Sequence, residues 1–133
     1  MILVCKRFKF DAAHFLPKHK GKCKNLHGHR FWLDVEITGK VHEKGSQKGM
    51  IMDFSLLKEI VESAVINQVD HTCLNDNFIN PTAEMMVIWF SNWIKESLSM
   101  VTKKRPVTLT RLRLYETEDS YAEWRNDENT SNK

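Results

Sequence analysis

The 133-residue chain lacks the features that mark membrane, exported and disulfide-bonded proteins. No apolar run approaches the roughly 20 residues that a membrane-spanning helix needs. Lys6 and Arg7 follow a short apolar start, which is the wrong order and too short for a secretory signal. Three cysteines are an odd number with no framework spacing, which favours free thiols in a reducing cytoplasm. We therefore expect a cytoplasmic protein with no membrane partner.

A glycine-rich dinucleotide fingerprint, an internal repeat and a domain linker are also missing. The pattern therefore gives no reason to expect a nicotinamide or flavin cofactor. The length suits one domain with a real core and is too short for two. We expect a single domain over residues 1–125, followed by a polar and disordered tail over 126–133.

The modest formal charge of +3 is unevenly distributed. Basic residues crowd into one short stretch at Lys18, Lys20, Lys22, Lys24 and Arg30. Such a cluster is the usual footprint of phosphate binding, although a solvated lysine loop gives the same pattern. Because no nucleic-acid motif accompanies it, we expect a small polyphosphate substrate and no nucleic acid.

Apolar and polar residues alternate in several segments, as they do in half-buried strands. The clearest case places Phe31, Leu33, Val35 and Ile37 on one face, with Gly39 ending the run. Strands are predicted over Val4 to Phe10, Phe31 to Thr38, Val107 to Glu116 and Ser120 to Trp124, with a further extended segment from Met50 to Met52.

Two segments show helical spacing instead. The first begins at a cap on Asp53 or Ser55 and runs to about Val69. The second begins with Asn80 as cap and Pro81 in the first helical position, and runs to about Leu98.

These elements predict an α+β fold, with a four-stranded antiparallel sheet and two helices packed on one face. The other face would be left uncovered. An exposed apolar face with open strand edges is usually resolved by assembly, so we expect a homo-oligomer.

The most informative motif is a set of histidines. His27 and His29 flank a glycine and point the same way if the segment is extended, since side chains alternate along a strand. His14 lies thirteen residues before His27 and supplies a third imidazole. Three histidines with an open fourth position are the arrangement of catalytic zinc. We therefore predict Zn²⁺ bound by His14, His27 and His29.

Cys23 has two interpretations. As a fourth ligand it would close a structural zinc site. As a free thiol beside a metal ion and lysines it could act as a base or nucleophile. Asp70 and His71 favour the second interpretation, because a carboxylate beside a histidine fixes an imidazole tautomer for proton transfer. A structural site would not need that pair.

Glu116 shares strand parity with Leu112 and Leu114, which places a carboxylate on an otherwise apolar face. A buried carboxylate needs a partner, and a heterocycle presenting an amino group beside a ring N–H offers two donors. An exposed glutamate just past the strand end is the alternative. Thr117 could add a hydrogen bond to the same ligand.

Together these motifs resemble the 6-pyruvoyltetrahydropterin synthase family over nearly the whole chain. The runs that carry the resemblance are Phe10-Asp11-Ala12-Ala13-His14, Cys23 to His29, Asp53-Phe54, Asp70-His71, Leu74-Asn75, Asn80 to Glu84 and Tyr115-Glu116-Thr117. Within the family, three residues between the cysteine and His-Gly-His are similar to the 6-carboxy-5,6,7,8-tetrahydropterin synthases of queuosine biosynthesis.

The resemblance implies a tunnelling fold (T-fold) whose subunits form a β-barrel, with trimers that stack into a hexamer and sites between subunits. It implies that His14, His27 and His29 bind zinc, that Cys23 accepts a proton, and that Asp70, His71 and Glu116 complete a relay and anchor the pterin. The implied substrate is 7,8-dihydroneopterin triphosphate, cleaved to the carboxypterin, acetaldehyde and triphosphate.

Two other functions stay open. The first is a different outcome on the same substrate class, such as pyruvoyl formation or aldol cleavage of the side chain. The second is a non-catalytic binding domain stabilised by zinc.

Overall fold

Strict alternation of side chains shapes the first two strands. In the computed structural model, which describes residues 1–127, β1 (Leu3–His14) and β2 (His27–Gly39) pair antiparallel over their length. Phe31, Leu33, Val35 and Ile37 on β2 are completely buried, as the alternation predicts. Both strands extend further than the predicted segments, and the added residues include all three histidines of the motif.

The sheet has five strands in the order β3-β1-β2-β4-β5. β4 (Val107–Thr117) pairs antiparallel with β2, and β5 (Ser120–Arg125) pairs antiparallel with β4. β3 (Thr72–Cys73) lies parallel to β1. The predicted number of four strands is therefore wrong, because it omits β3. This strand has two residues and is too short to show alternation in the sequence.

Met50 to Met52 do not form the predicted extended segment. The backbone bends there, and the side chains of Ile51 and Met52 are buried in the core. The segment is apolar because its side chains are buried, and a short apolar run of this kind has the same sequence pattern as a strand.

The first predicted helix is built from three pieces. α1 (Phe54–Val61) is followed by a π-helical segment, Glu62–Ile66, and then by α2 (Asn67–Val69). Asp53 caps α1, since its Oδ1 accepts a hydrogen bond from the Ser55 N–H at 2.8 Å. In a regular helix of about 100° per residue, Ile66 would lie about 180° from Leu57 and face solvent. The wider π turn brings Ile66 and Val69 into the core instead.

α3 (Ala83–Val101) begins later and ends later than the spacing predicts. The predicted cap Asn80 is wrong. Thr82 caps the helix, because its hydroxyl accepts from the Met85 N–H at 3.2 Å while its own backbone is extended. Pro81 therefore lies just outside the helix.

The helices cover one face of the sheet, which confirms the α+β class. The ring of Phe10 on β1 stacks on Phe31 of β2, with centroids 4.9 Å apart, and meets the edge of Phe90 on α3 at 6.0 Å. The buried apolar side chains from β1 to β4 form one continuous core.

The opposite face of the sheet is charged, so the expectation of an uncovered apolar face is wrong. Arg7 on β1 binds Asp34 on β2 through two hydrogen bonds of 2.6 and 2.9 Å. Further along, Arg111 lies 3.0 Å from Glu36, and Arg113 binds Glu123. The polar positions of each strand pair across the ladder, so alternation alone did not tell a charged face from an apolar one.

The last described residues continue the sheet by two hydrogen bonds. The Asn126 N–H donates to the Thr110 carbonyl and its side-chain amide to the Leu109 carbonyl, both at 3.0 Å. Of the predicted tail over 126–133, residues 128–133 lie outside the described part of the chain. No helix within residues 1–127 is both long enough and apolar enough to cross a membrane.

Replacing Thr82 with alanine is expected to lower the free energy of unfolding by about 1 kcal/mol, since α3 loses its side-chain cap. Urea unfolding measures this change. Asn80→Ala is the matched control and should have a smaller effect, because Asn80 contributes its backbone carbonyl to the Thr82 N–H. An equal loss in both variants would contradict the cap.

Candidate active site

Three imidazoles meet because of the register between β1 and β2. His14 lies directly opposite His27, and Ala12 lies opposite His29. His27 and His29 share one face of β2, as alternation requires. The three ring centroids are 4.6, 4.8 and 5.1 Å apart, and His14 is completely buried.

Backbone carbonyls fix which nitrogen of two rings carries hydrogen. Nδ1 of His14 lies 2.9 Å from the Pro81 carbonyl, and Nδ1 of His27 lies 2.7 Å from the Asn25 carbonyl. A carbonyl only accepts, so each Nδ1 donates, and in the neutral ring each Nε2 keeps its lone pair. This is the outer hydrogen bonding that orients histidine ligands of metals. Neither carbonyl was identified as a partner from the sequence, since the pairing depends on how the loops fold back.

The three Nε2 atoms are buried and lack a well-aligned hydrogen bond. Glu116 at the end of β4 completes the group, as its Oε1 lies 3.1 Å from His14 Nε2 and 3.2 Å from His29 Nε2. These are ion-pair distances without hydrogen-bond alignment. Buried polar atoms rarely stay unpaired, so a convergent set of this kind indicates a missing partner.

Burial and charge act on this group in opposite directions. Burial lowers the pKa of His14, but the Glu116 carboxylate and the Pro81 carbonyl outweigh it, so this pKa is raised. Burial, together with the neighbouring His14 and His27, lowers the pKa of His29 against the pull of Glu116. The proximity of His14 lowers the pKa of Glu116 more than burial raises it. Without a metal ion, His14 therefore binds a proton more readily than an isolated histidine, and Glu116 gives one up more readily than an isolated glutamate.

The donor set suits a metal ion. One ligand atom each from His14, His27, His29 and Glu116 lie within 4.8 Å of one another. Cys23 is not a member of this set among residues 1–127. Nitrogen donors of fixed orientation fit zinc, and binding by the three histidines alone would leave a fourth position open to substrate.

Cys23 lies on a loop held near the histidines by Asn75. The carboxamide of Asn75 accepts from the Phe15 N–H at 2.9 Å and donates to the Phe15 carbonyl at 2.8 Å. The Cys23 carbonyl accepts from the Leu16 N–H at 2.7 Å, which closes the loop. The Cys23 thiol is free and partly buried. Asn75 belonged to the quoted motifs, but nothing in the sequence gave it this function.

Asp70 and His71 form a second group at the edge of β1. His71 Nδ1 lies 3.0 Å from Asp70 Oδ1, so the predicted carboxylate–histidine contact is present. His71 has a φ of 59°, a left-handed conformation that is costly outside glycine and often marks functional positions. Its side chain is 79% exposed. The pair belongs to a different set of possible ligands from the three histidines, and one surface pocket is lined by both His29 and His71.

Thr117 belongs to neither group. Its hydroxyl donates to the Asp119 carboxylate at 2.9 Å, within the turn between β4 and β5. A ligand contact from Thr117 would have to replace this bond.

Comparison with known proteins identifies a matching family. The family model of 6-pyruvoyl tetrahydropterin synthase matches residues 3–127. The chain belongs to this family. Family membership and the names of its relatives support a pterin synthase or lyase.

The chain is similar to several curated proteins of the family. A 6-carboxy-5,6,7,8-tetrahydropterin synthase of Haemophilus influenzae is 46% identical over 57% of this chain and 54% of its own length. The match thus spans about half of that relative. One from Synechocystis is 41% identical over 73% of this chain and 78% of its own. A dihydroneopterin monophosphate aldolase of Pyrococcus furiosus is 37% identical over 83% and 85%.

The fold is that of solved family structures. The 6-pyruvoyl tetrahydropterin synthase of Caenorhabditis elegans superposes with a TM-score of 0.77 at 24% identity, covering 94% of this chain and 95% of that one. This likeness confirms the predicted T-fold of the subunit.

The raised pKa of His14 predicts how metal affinity depends on pH. A metal ion must displace the proton that Glu116 helps to hold, so affinity falls by about tenfold per pH unit for each displaced proton below that pKa. Glu116→Gln removes the main contact that raises the pKa. We expect the fall in affinity to begin at lower pH in this variant, as measured by titrating zinc into metal-free protein.

Glu118→Gln removes a neighbouring carboxylate and is the matched control. Its pH dependence should equal that of the unmodified protein. An unchanged dependence in Glu116→Gln would show that Glu116 does not hold the His14 proton.

Proposed function

We propose that this protein is a zinc-dependent 6-carboxy-5,6,7,8-tetrahydropterin synthase of queuosine biosynthesis, acting in the cytoplasm. It would convert 7,8-dihydroneopterin triphosphate to 6-carboxy-5,6,7,8-tetrahydropterin, acetaldehyde and triphosphate. The observation that carries the proposal is the convergence of three buried Nε2 atoms in a set that contains no thiol. The names of the relatives from Haemophilus and Synechocystis support the choice within the family.

His14, His27 and His29 would hold the zinc ion. Bound zinc would supply a Lewis acid that lowers the pKa of the substrate's side-chain hydroxyls and makes the adjacent C–H protons easier to remove. The Pro81 and Asn25 carbonyls keep two of the imidazoles in the ligating tautomer.

Cys23 and His71 would move the protons. Cys23 is free of the metal set and sits on a loop that Asn75 ties down, so its thiol can accept a proton from the substrate side chain. His71 would carry protons at its exposed Nε2, while Asp70 holds Nδ1 and thereby fixes the tautomer.

Glu116 would anchor the pterin ring. Its side chain is 29% exposed and its carboxylate lies beside the histidines, so it can accept two hydrogen bonds from a guanidine-like edge placed there. Thr117 would add a hydrogen bond once it leaves Asp119. The lysines of the loop before Asn25 would attract the triphosphate by charge.

A second outcome on the same site is aldol cleavage, which the relative from Pyrococcus favours. Pyruvoyl formation is the third member of this group. Product analysis separates the three: incubation with dihydroneopterin triphosphate should give acetaldehyde and carboxypterin. Pyruvoyl or aldol products would overturn the choice of reaction and leave the substrate class standing.

Cys23→Ala tests the enzyme against a non-catalytic zinc domain. We expect this variant to retain its zinc and fold while turnover falls by at least about 100-fold, because a proton acceptor is lost. Metal analysis, thermal unfolding and the product assay measure the three properties. Cys5→Ala, which removes an exposed thiol of β1, should keep activity. Loss of zinc and unfolding in Cys23→Ala would instead indicate a structural ligand.

We further propose that the active protein is a homo-oligomer built from trimers, a hexamer with paired sheets. Support comes from the open edge at β5. One chain's His71 would then serve the Cys23 and histidines of its neighbour.

Subunit mixing tests this arrangement. Cys23→Ala and His71→Gln proteins are each expected to be inactive, but mixed assemblies should recover about a quarter of the sites, since random pairing joins the two intact halves that often. Light scattering gives the mass, and activity after subunit exchange gives the recovery. A monomer at micromolar concentration, or a mixture without activity, would contradict the shared site.

A further inference from the structure

Asp11 on β1 holds the Asp70–His71 pair through both of its backbone groups. The His71 N–H donates to the Asp11 carbonyl at 2.6 Å, and the Asp11 N–H donates to Asp70 Oδ1 at 2.9 Å. The same Asp70 oxygen lies 3.0 Å from His71 Nδ1. Asp11 thus holds both the backbone N–H of His71 and the carboxylate of Asp70.

This arrangement places a second carboxylate beside the imidazole. One ligating atom each from Asp11, Asp70 and His71 lie within 4.8 Å of one another. An Nδ1–H that binds Asp70 therefore has the Asp11 carboxylate close by as a competing acceptor. A ring that alternates between two acceptors does not present its Nε2 in one direction.

Arg30 removes this competition. It faces Asp11 directly across the β1–β2 ladder, and its Nε and Nη2 donate to the two carboxylate oxygens at 2.9 and 3.1 Å. Such a fork is the strongest geometry for an arginine–carboxylate contact. Arg30 lowers the pKa of Asp11. The three-residue cluster does not fit a metal site, since Asp11 is bound to a cation and Asp70 Oδ1 already faces two nitrogen donors.

We propose that Arg30 is a positioning residue, which by binding both oxygens of Asp11 leaves the His71 imidazole to Asp70. Its effect on turnover rests on the proposed function, whereas its effect on the His71 ring does not. Arg30 and Asp11 are about half exposed, so the ion pair itself adds little stability. Its role is to make one acceptor unavailable.

Rescue of one substitution by a second tests the proposal. Arg30→Gln frees the Asp11 carboxylate, and we expect kcat to fall by about fivefold to tenfold with KM changed by less than about twofold, because positioning rather than binding is lost. Adding Asp11→Asn removes the competing carboxylate. The double variant should recover to within about twofold of the original kcat, a rescue that requires the two residues to act on one partner.

Arg125→Gln is the matched control, because Arg125 is an exposed arginine paired with a carboxylate, Glu123, on the same face of the sheet. It should leave kcat unchanged. If the double variant is as impaired as Arg30→Gln, Arg30 supports strand pairing and the proposal is wrong. Loss of zinc from Arg30→Gln would overturn it too, since the effect would then pass through the adjacent His29.

Nitrogen-edited NMR of the imidazoles reads the ring without any turnover. The His71 signals are assigned by their loss in His71→Gln. A single Nδ1–H signal is expected in the unmodified protein, in Arg125→Gln and in the double variant, with a second or broadened signal in Arg30→Gln. One unaltered signal in all four would overturn the proposal even if the protein is fully active. If the NMR signals follow the expected pattern but the protein does not convert pterins, the role of Arg30 is supported. The proposed function alone is then refuted.

Discussion

In an antiparallel pair of strands, a shift of one residue sends every side chain to the opposite face of the sheet. The β1–β2 register therefore decides whether the three imidazoles of this protein meet at all. His14 opposite His27 is the last pair of that ladder, and the stacked rings of Phe10 and Phe31 lie four residues inside it. The buried aromatic pair fixes the register, and the register brings the imidazoles together. The core and the site are thus parts of one ladder.

The sequence predicted those parts that depend on a repeating period. Alternation along an extended segment was enough to point His27 and His29 the same way, and strand parity favoured an inward Glu116 without excluding an exposed one. What depends on contact between distant segments was not predictable. The Pro81 carbonyl behind His14 and the Asn75 clamp on Phe15 each join residues more than fifty positions apart. Capping preference also predicted the wrong start for α3, because Asn80 and Thr82 are both good N-cap residues. Which of them caps the helix depends on the tertiary fold.

The polar face of the sheet shows a different limit. Alternation puts Trp32, Asp34 and Glu36 on the face opposite Phe31 and Leu33, but the residues that face them on β1 and β4 decide the character of that face. Arg7 lies between Asp34 and the ring of Tyr115, so charge and aromatic surface are interleaved there. A face of that composition is well hydrated in a single subunit. Its aromatic rings can still pack against the same face of a second subunit.

The π-helical segment Glu62–Ile66 holds one residue more than a regular turn would need. Loss of a single codon from this segment would give an ordinary helix with better backbone geometry, but Asp70 and His71 would then be pulled back by one residue, away from Asp11. The extra residue of the π-helical segment thus sets where the Asp70–His71 pair meets β1.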